Sequence, residues 1–484
     1  MLVTLLAAID ATILASALPT VVGDLHGVKE IAWVTSAFML AQLAVAPIYG
    51  KLGDIYGRKL VLQTAIVIFL AGSMLSGLSQ TMVELVLARA VQGIGAGGLM
   101  VLVQTIVSTL VSARDRAKYQ SLFAAVFGVA SVGGPLLGGV LVQQLSWRWV
   151  FFVNLPVGLA AEVVLAIVLE NQELRQRLPI DWRGAAAIAG ALSCFSVLVS
   201  LGGISFPWFS WQSGTLTAAT VALVLAAVRA ERHAVDPVIP GAILRSRVFR
   251  NGSVQTFAVG GVMLGTVTFT PFYFVVVKHY SPTLAGLLLA SVMVGMITAG
   301  VWSGRRVSQT GRYRAYPIVG FGAMAVGLLL LALTGTRTPT AVVCVDLAVV
   351  GSGLGLAMQL IISVVQTALP QELIGTATSA LQVGRGAGNG IGPAALGAIF
   401  AGALGRAAVA NPGVNGHVDA FVRHAYVHAL RPVYLGAALF AIVGLTAAWR
   451  LEEVPLAATV GQPAPDSTAP ARDHIRTRPE TSQL

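Results

Sequence analysis

Charge is what this chain has little of: Asp, Glu, Lys and Arg make up 11% of its 484 residues, against 56% hydrophobic residues and a mean hydropathy of +0.80. A soluble domain of this size needs roughly a quarter of its residues charged to cover its surface, so a water-soluble globule is excluded. Cysteine is nearly absent too. Cys194 and Cys344 lie inside apolar runs without metal or redox spacing and read as inert thiols. There is no Walker-type phosphate loop, which leaves an ion gradient as the expected energy source. Nor is there a nucleophile–base set: His26, His233, His279, His417, His424 and His428 lie in loops or at span ends, where a solvated role is expected. His424 and His428 have i,i+4 spacing but no nearby acid, so no metal, no cofactor and no enzyme activity are expected.

What is present is long apolar runs of about twenty residues, the length that crosses a bilayer core. Fourteen are read near 2–20, 32–50, 60–78, 82–104, 119–142, 149–169, 184–204, 213–229, 253–276, 284–303, 315–334, 341–363, 376–402 and 432–449. The first lacks a basic flank and carries Asp10 and Pro19, so it reads as a retained span and not as a signal peptide. Met1 abuts it directly, which points to a true start upstream. The residues from about Val454 onward are rich in Pro, Thr, Ala and Arg without apolar period, and a disordered tail is expected.

The formal charge of +11 is dispersed at span ends and forms no stripe for nucleic acid. It gives topology instead. Lys51, Arg58 and Lys59; Arg114, Arg116 and Lys118; Arg175, Arg177 and Arg183; Arg229, Arg232, Arg245, Arg247 and Arg250; and Arg305, Arg306, Arg312 and Arg314 occupy alternate loops. The opposite loops hold Lys29, Arg148, Lys278, Arg337, Arg406, Arg423 and Arg431. The positive-inside rule then makes the first set, and both termini, cytoplasmic in a multi-pass protein of the cell membrane. The loop at Pro370, Gln371 and Glu372 belongs to the first set and has no basic residue.

An internal repeat sets the architecture. Gly50-Lys-Leu-Gly-Asp54-Ile-Tyr-Gly57-Arg58-Lys59 follows span 2, and Gly304-Arg-Arg-Val-Ser308-Gln-Thr-Gly311-Arg312 follows span 10 with the same Gly and Arg spacing. About eighty residues later in each case comes a Gly-Pro pair, Gly134-Pro135 and Gly392-Pro393. The chain therefore divides into a six-helix half over 1–170, a two-helix insertion with its linkers over 171–250, a second six-helix half over 251–450, and the tail 451–484. Parallel halves of this kind enclose a substrate site near the midplane.

Asp54, among basic residues in a tight glycine loop, is placed to meet the positive N-terminal end of another helix, a contact that makes and breaks as the halves rock. The loop Gly50, Asp54, Gly57, Arg58 and Lys59 resembles the signature loop of the major facilitator superfamily. Because Ser308 stands where Asp54 would align, a gating contact is expected on one side only. Span 4 carries Arg89-Ala-Val-Gln92-Gly93-Ile-Gly95-Ala-Gly97, similar to the superfamily's span-4 motif, in which the arginine is implicated in proton coupling. Without a partner, an arginine at that depth costs about 2.5–3.5 kcal/mol on insertion scales. In span 5, Gly134-Pro135-Leu-Leu-Gly138-Gly139 makes a kink and a small-residue packing face, and resembles the motif of the superfamily's exporters. Trp147-Arg148-Trp149 through Asn154-Leu-Pro-Val-Gly158, and Asp10-Ala-Thr12 through Ala17-Leu18-Pro19 in span 1, are similar to signatures of the fourteen-span drug:proton antiporter branch. The resemblance implies an all-α membrane fold and a transporter driven by the proton gradient, with a small molecule, protons and the lipid bilayer as partners. A monomer is compatible with it.

The intramembrane ionisable residues are candidates for proton movement. At 1.5 Å per residue, Asp10 lies roughly 14 Å and Arg89 roughly 20 Å above the cytoplasmic edge, heights that allow a pair, and Glu162, near 11 Å, is a candidate third member or a snorkelling side chain. Asp10 is expected to carry the proton and Arg89 to tune it, with a substrate competing for the deprotonated state. Gln92, Asp346, Gln382, Arg385 and Asn389 are candidate cavity residues, the last three on one face of span 13. An Asp346–Arg385 bridge is not expected, because their heights differ by about 10 Å. Export of amphiphilic or lipophilic compounds, multidrug efflux in particular, is the expected function. Export of a lipid or secondary metabolite uses the same cavity, and a non-transporting sensor or scaffold is disfavoured by the retained Asp10, Asp54 and Arg89.

Overall fold

The computed structural model describes residues 1–25, 30–169, 181–202, 206–234, 237–410, 418–451 and 453. His26, Lys29, Arg175, Arg177, His417 and the tail from Val454 lie outside the described residues. The described residues form helices and no strands. The spanning helices are α1 Leu2–Leu25, α2 Ile31–Tyr56, α3 Arg58–Leu78, α4 Met82–Leu110, α5 Ala113–Gln144, α6 Trp149–Val168, α7 Trp182–Leu201, α8 Trp211–His233, α9 Arg247–Phe272, α10 Pro282–Thr310, α11 Ala315–Ala332, α12 Thr340–Thr367, α13 Ile374–Ala410 and α14 Val418–Trp449. Thirteen are long and apolar enough to span by themselves, and α1 is the fourteenth as a bent pair, turning by 59° between Leu14 and Ser16. Pro19 lacks the N–H that would close onto the carbonyl four residues earlier, at that bend.

Several helices outrun the apolar windows. α5 starts six residues before its apolar run, carrying Arg114, Arg116 and Lys118 on its first turns, and α14 carries Arg423, His424 and His428 on helix ahead of its own run. Hydropathy locates the lipid-crossing part, whereas backbone hydrogen bonding continues as far as side chains can cap it.

The repeat is visible as a repeated set of neighbours. α1 packs on α5, α2 and α3 on α4, and α6 on α3; correspondingly α9 packs on α13, α10 and α11 on α12, and α14 on α11. The large buried cores follow this grouping, one drawn from residues 3–161 and another from 258–448. α7 and α8 pair with each other, and α7 leans on α2 and α13. Without water to reward burial of apolar area, helices in lipid associate through close van der Waals contact, which small residues permit. Gly134 and Gly138 serve that purpose: a Cβ on either would lie 2.1 or 2.2 Å from Thr12 Oγ1 or Ser16 Oγ of α1. Pro135 is exposed and Gly139 faces open space, so the packing face is the i,i+4 pair of glycines and not the whole motif. Their counterpart Gly392 on α13 meets Gly261 of α9 in the same way.

Candidate functional site: a buried carboxylate and a sealed end

The span-4 arginine finds its acid. Arg89 Nη1 donates to Asp10 Oδ2 at 2.9 Å, with both side chains at most 2% exposed. The other carboxylate oxygen, Oδ1, accepts from Gln92 Nε2 at 2.7 Å and from Asn154 Nδ2 at 2.9 Å. Asn154 also donates to Ser73 Oγ at 3.0 Å, and Ser73 donates to the Phe151 carbonyl at 2.9 Å. Arg89 Nη1 further donates to Gln92 Oε1 at 2.7 Å, and its guanidinium lies 4.0 Å above the Phe38 ring. The carboxylate of α1 is thus held by α4 and α6, with Ser73 of α3 behind Asn154. A charge this deep is tolerated because it is paired and each oxygen is hydrogen-bonded. Asp10 has no free face for a competing substrate in this conformation, so any coupling to a substrate must pass through helix movement.

Asn154 and Ser73 were not among the sequence-level candidates. Asn154 stood in a motif, and a lone amide in an apolar span is the signal for an interhelical bond. Ser73 carried none. Conversely, Glu162 is not part of the cluster: it lies eight residues along α6 from Asn154, about 12 Å, and accepts from Gln63 Nε2 of α3 at 2.8 Å. Height along the membrane normal had placed it nearby, but eight residues also rotate the side chain by about 80°. Asp346 is buried near the outer end of α12, with no hydrogen bond or ion pair to Arg385 among the described residues.

A second constellation closes one end of the molecule. Gly57 and Gly311, at φ +88° and +70°, make the repeated turns after α2 and α10 in the left-handed region that glycine adopts without strain. Before the first turn, Asp54 Oδ2 accepts from the Thr376 backbone N–H at 3.2 Å, at the N-terminus of α13. Asp54 Oδ1 accepts from Arg58 Nη2 at 3.1 Å, and Arg58 donates onward to the Gln371 carbonyl at 3.0 Å. A negative side chain at a helix N-terminus is favoured by the helix dipole. Lys59 donates to the Ala166 and Leu169 carbonyls at the C-terminal end of α6, the complementary case.

The expectation of a contact on one side only is corrected here. Ser308 donates to Asp115 Oδ1 at 2.7 Å, joining α10 to the first turn of α5. The acid has moved from the loop helix to the helix it meets, where it also accepts from Ser112. The two contacts, α2 with α13 and α10 with α5, are counterparts under the repeat, and Gly50 and Gly304 let each pair approach. The loop at Gln371 that lacks a basic residue receives two from the other half: Arg58, and Arg116, whose Nη1 donates to the Gln366 carbonyl at 3.2 Å at the end of α12.

Inward of these charges lies a neutral layer. Gln382 Nε2 donates to Gln104 Oε1 at 3.1 Å, Gln366 Nε2 to Thr378 Oγ1 at 2.9 Å, and Gln120 Nε2 to Gln366 Oε1 at 3.4 Å. Gln104, Gln120 and Gln366 are each at most 3% exposed. The seal therefore runs from Gln371 to Gln382, about 16 Å along α13. Gln382 belongs to this floor, whereas Asn389, two turns further on, leans against Gly260 of α9 with Oδ1 buried and unpartnered.

Known proteins resemble this chain in sequence and fold. The family description "Major Facilitator Superfamily" matches residues 1–393. Relatives include an uncharacterized MFS-type transporter of Mycobacterium tuberculosis, 37% identical over 93% of this chain and 68% of its own length. Multidrug transporter protein MdtP of Bacillus subtilis is 33% identical over 81% of this chain and 72% of its own, and Multidrug resistance protein 3 of the same organism 34% identical over 78% and 73%. Among solved structures, the proton:xylose symporter XylE superimposes with a TM-score of 0.63 at 15% identity, covering 93% of this chain and 92% of that one. With its repeat, its paired halves and these relatives, the chain belongs to the major facilitator superfamily.

Proposed function

We propose that the protein is a proton-coupled antiporter that exports amphiphilic or lipophilic compounds across the cell membrane by alternating access. The observation that carries the reading is Asp10, a lone carboxylate neutralised by Arg89 inside the span core and touched by α1, α4 and α6. Protonation removes its charge, so the ion pair is lost and Oδ1 or Oδ2 becomes a donor where three donors now converge. The helices that hold it must then shift, and α4 among them also contacts α13 of the second half. The basic residues beside the seal support a cytoplasmic position for that end and for both termini. The conformation is then outward-facing, the state that releases cargo and takes up a proton from outside. The names of the Bacillus relatives support drug-like cargo. Uptake of a lipophilic dye into everted vesicles, measured with and without an imposed acid-inside pH gradient, tests the coupling. Asp10→Asn is expected to abolish the gradient-driven component, and an undiminished gradient-driven rate in that variant would overturn the proposal.

A further inference from the structure

Arg385 is an arginine in the middle of α13 for which the described residues supply no acid. Among the described residues no carboxylate pairs with it and no acceptor takes its N–H groups, while the span-core carboxylate Asp10 is fully engaged by Arg89, Gln92 and Asn154. Its setting is Gly384-Arg385-Gly386-Ala387-Gly388-Asn389-Gly390, a glycine at every second position. Those glycines let neighbours close in on two sides. Gly384 and Gly388 face Thr256 and Phe257 of α9, Gly386 faces Leu43 of α2, and Gly390 faces Val199 of α7. Thr378, Gln382 and Arg385 form the stripe left between those contacts, by the 3.6-residue period. The direction of the stripe is fixed by Gln382, which reaches Gln104 of the opposite half. Arg385 follows one turn inward, about 4.5 Å above that floor contact, with its side chain half-buried.

We infer that Arg385 is the anion-binding element of the transport cavity, and that the protein takes amphiphilic organic anions, with a carboxylate or sulfonate head and an apolar body. The inference rests on the transporter reading and narrows its cargo. A guanidinium at that depth is stabilised by a counter-anion, and with none among the described residues the cargo supplies it, through paired N–H donors that match a carboxylate. Leu43 and Val199 are the apolar surfaces beside the stripe that suit the body of such a molecule. Lipophilic cations find the opposite environment, a positive charge on the stripe.

Equilibrium binding to purified protein in detergent, with no gradient, tests this with three probes on one scaffold: 2-naphthoate, 2-naphthamide and (2-naphthylmethyl)trimethylammonium. The naphthoate is expected to bind at least about tenfold more tightly than the amide, and the ammonium most weakly. Arg385→Gln is expected to bring the naphthoate-to-amide ratio to about one, and Arg385→Lys, which keeps the charge, to retain a preference for the anion and show that the fold tolerates change at this position. Preferential binding of the ammonium, no binding of naphthoate, or a naphthoate-to-amide ratio that survives Arg385→Gln would each overturn the inference. Because no proton gradient enters the measurement, its failure is distinct from failure of the Asp10 coupling, which is read from transport.

Discussion

Asp10→Asn and Arg89→Gln test whether the buried cluster acts as one unit. Asn at position 10 keeps the shape of the carboxylate but replaces one acceptor oxygen with an NH2 group. Oriented with Nδ2 toward Arg89, it sets a donor against Nη1, which now stands 2.9 Å from Asp10 Oδ2; oriented the other way, it faces the Gln92 and Asn154 amides at 2.7 and 2.9 Å. Either way Arg89 is left as a buried cation without its counterion. Removing one partner of a buried pair costs about 3–5 kcal/mol. Arg89→Gln strands the carboxylate by the same reasoning, with Gln92 and Asn154 still donating, so its cost should fall at the lower end of that range. The double variant removes both charges and leaves a network of amides that can satisfy one another by flipping. It should therefore be less destabilised than the sum of the single variants by roughly 2 kcal/mol or more, the size of coupling found between contacting groups. Unfolding free energies of the four proteins in mixed detergent micelles supply the cycle. Additivity within about 0.5 kcal/mol, the behaviour of independent sites, would refute the idea that these side chains form one electrostatic unit.

The seal gives a second cycle: Ser308→Ala and Asp115→Asn should each raise alkylation of a cysteine introduced at Gln104, by about two- to tenfold for the loss of one hydrogen bond of about 0.5–1.5 kcal/mol, with little further gain in the double variant. Asp54→Asn weakens the α13 N-terminal contact and should raise the same labelling by a similar factor; unchanged labelling would remove Asp54 from the seal. Gly388→Val would place Cβ 2.0 Å from the Phe257 carbonyl, so folded yield by size-exclusion chromatography should collapse, whereas Gly139→Val, with nothing within 4 Å, should leave it unchanged.

Span number and the duplication were legible because lipid imposes them: an apolar run of a fixed length needs no tertiary knowledge to recognise. Arg89 and Asp10 were legible for a related reason, since a charge in the core demands a partner and the chain offers few. Asp54 was placed correctly at a helix N-terminus because its loop is short and its neighbours are basic. The errors share a cause. Height alone brings Glu162 to the cluster, and the α10–α5 contact is hidden in the sequence because Asp115 carries its acid on the opposing helix, not in the repeated loop.

The sequence by itself determined that the chain lives in a bilayer as two related bundles, and which charges are too costly to be idle there. Only the tertiary structure decided which helix faces meet. It placed Asn154 and Ser73 behind the carboxylate, gathered Gln104, Gln120, Gln366 and Gln382 into a floor, and left Arg385 without an acid among the described residues. Hydropathy measures depth, one coordinate along the membrane normal. Rotation about each helix axis is set by close packing at small residues such as Gly134, Gly388 and Gly50, and that information is shared between helices and held by no one of them.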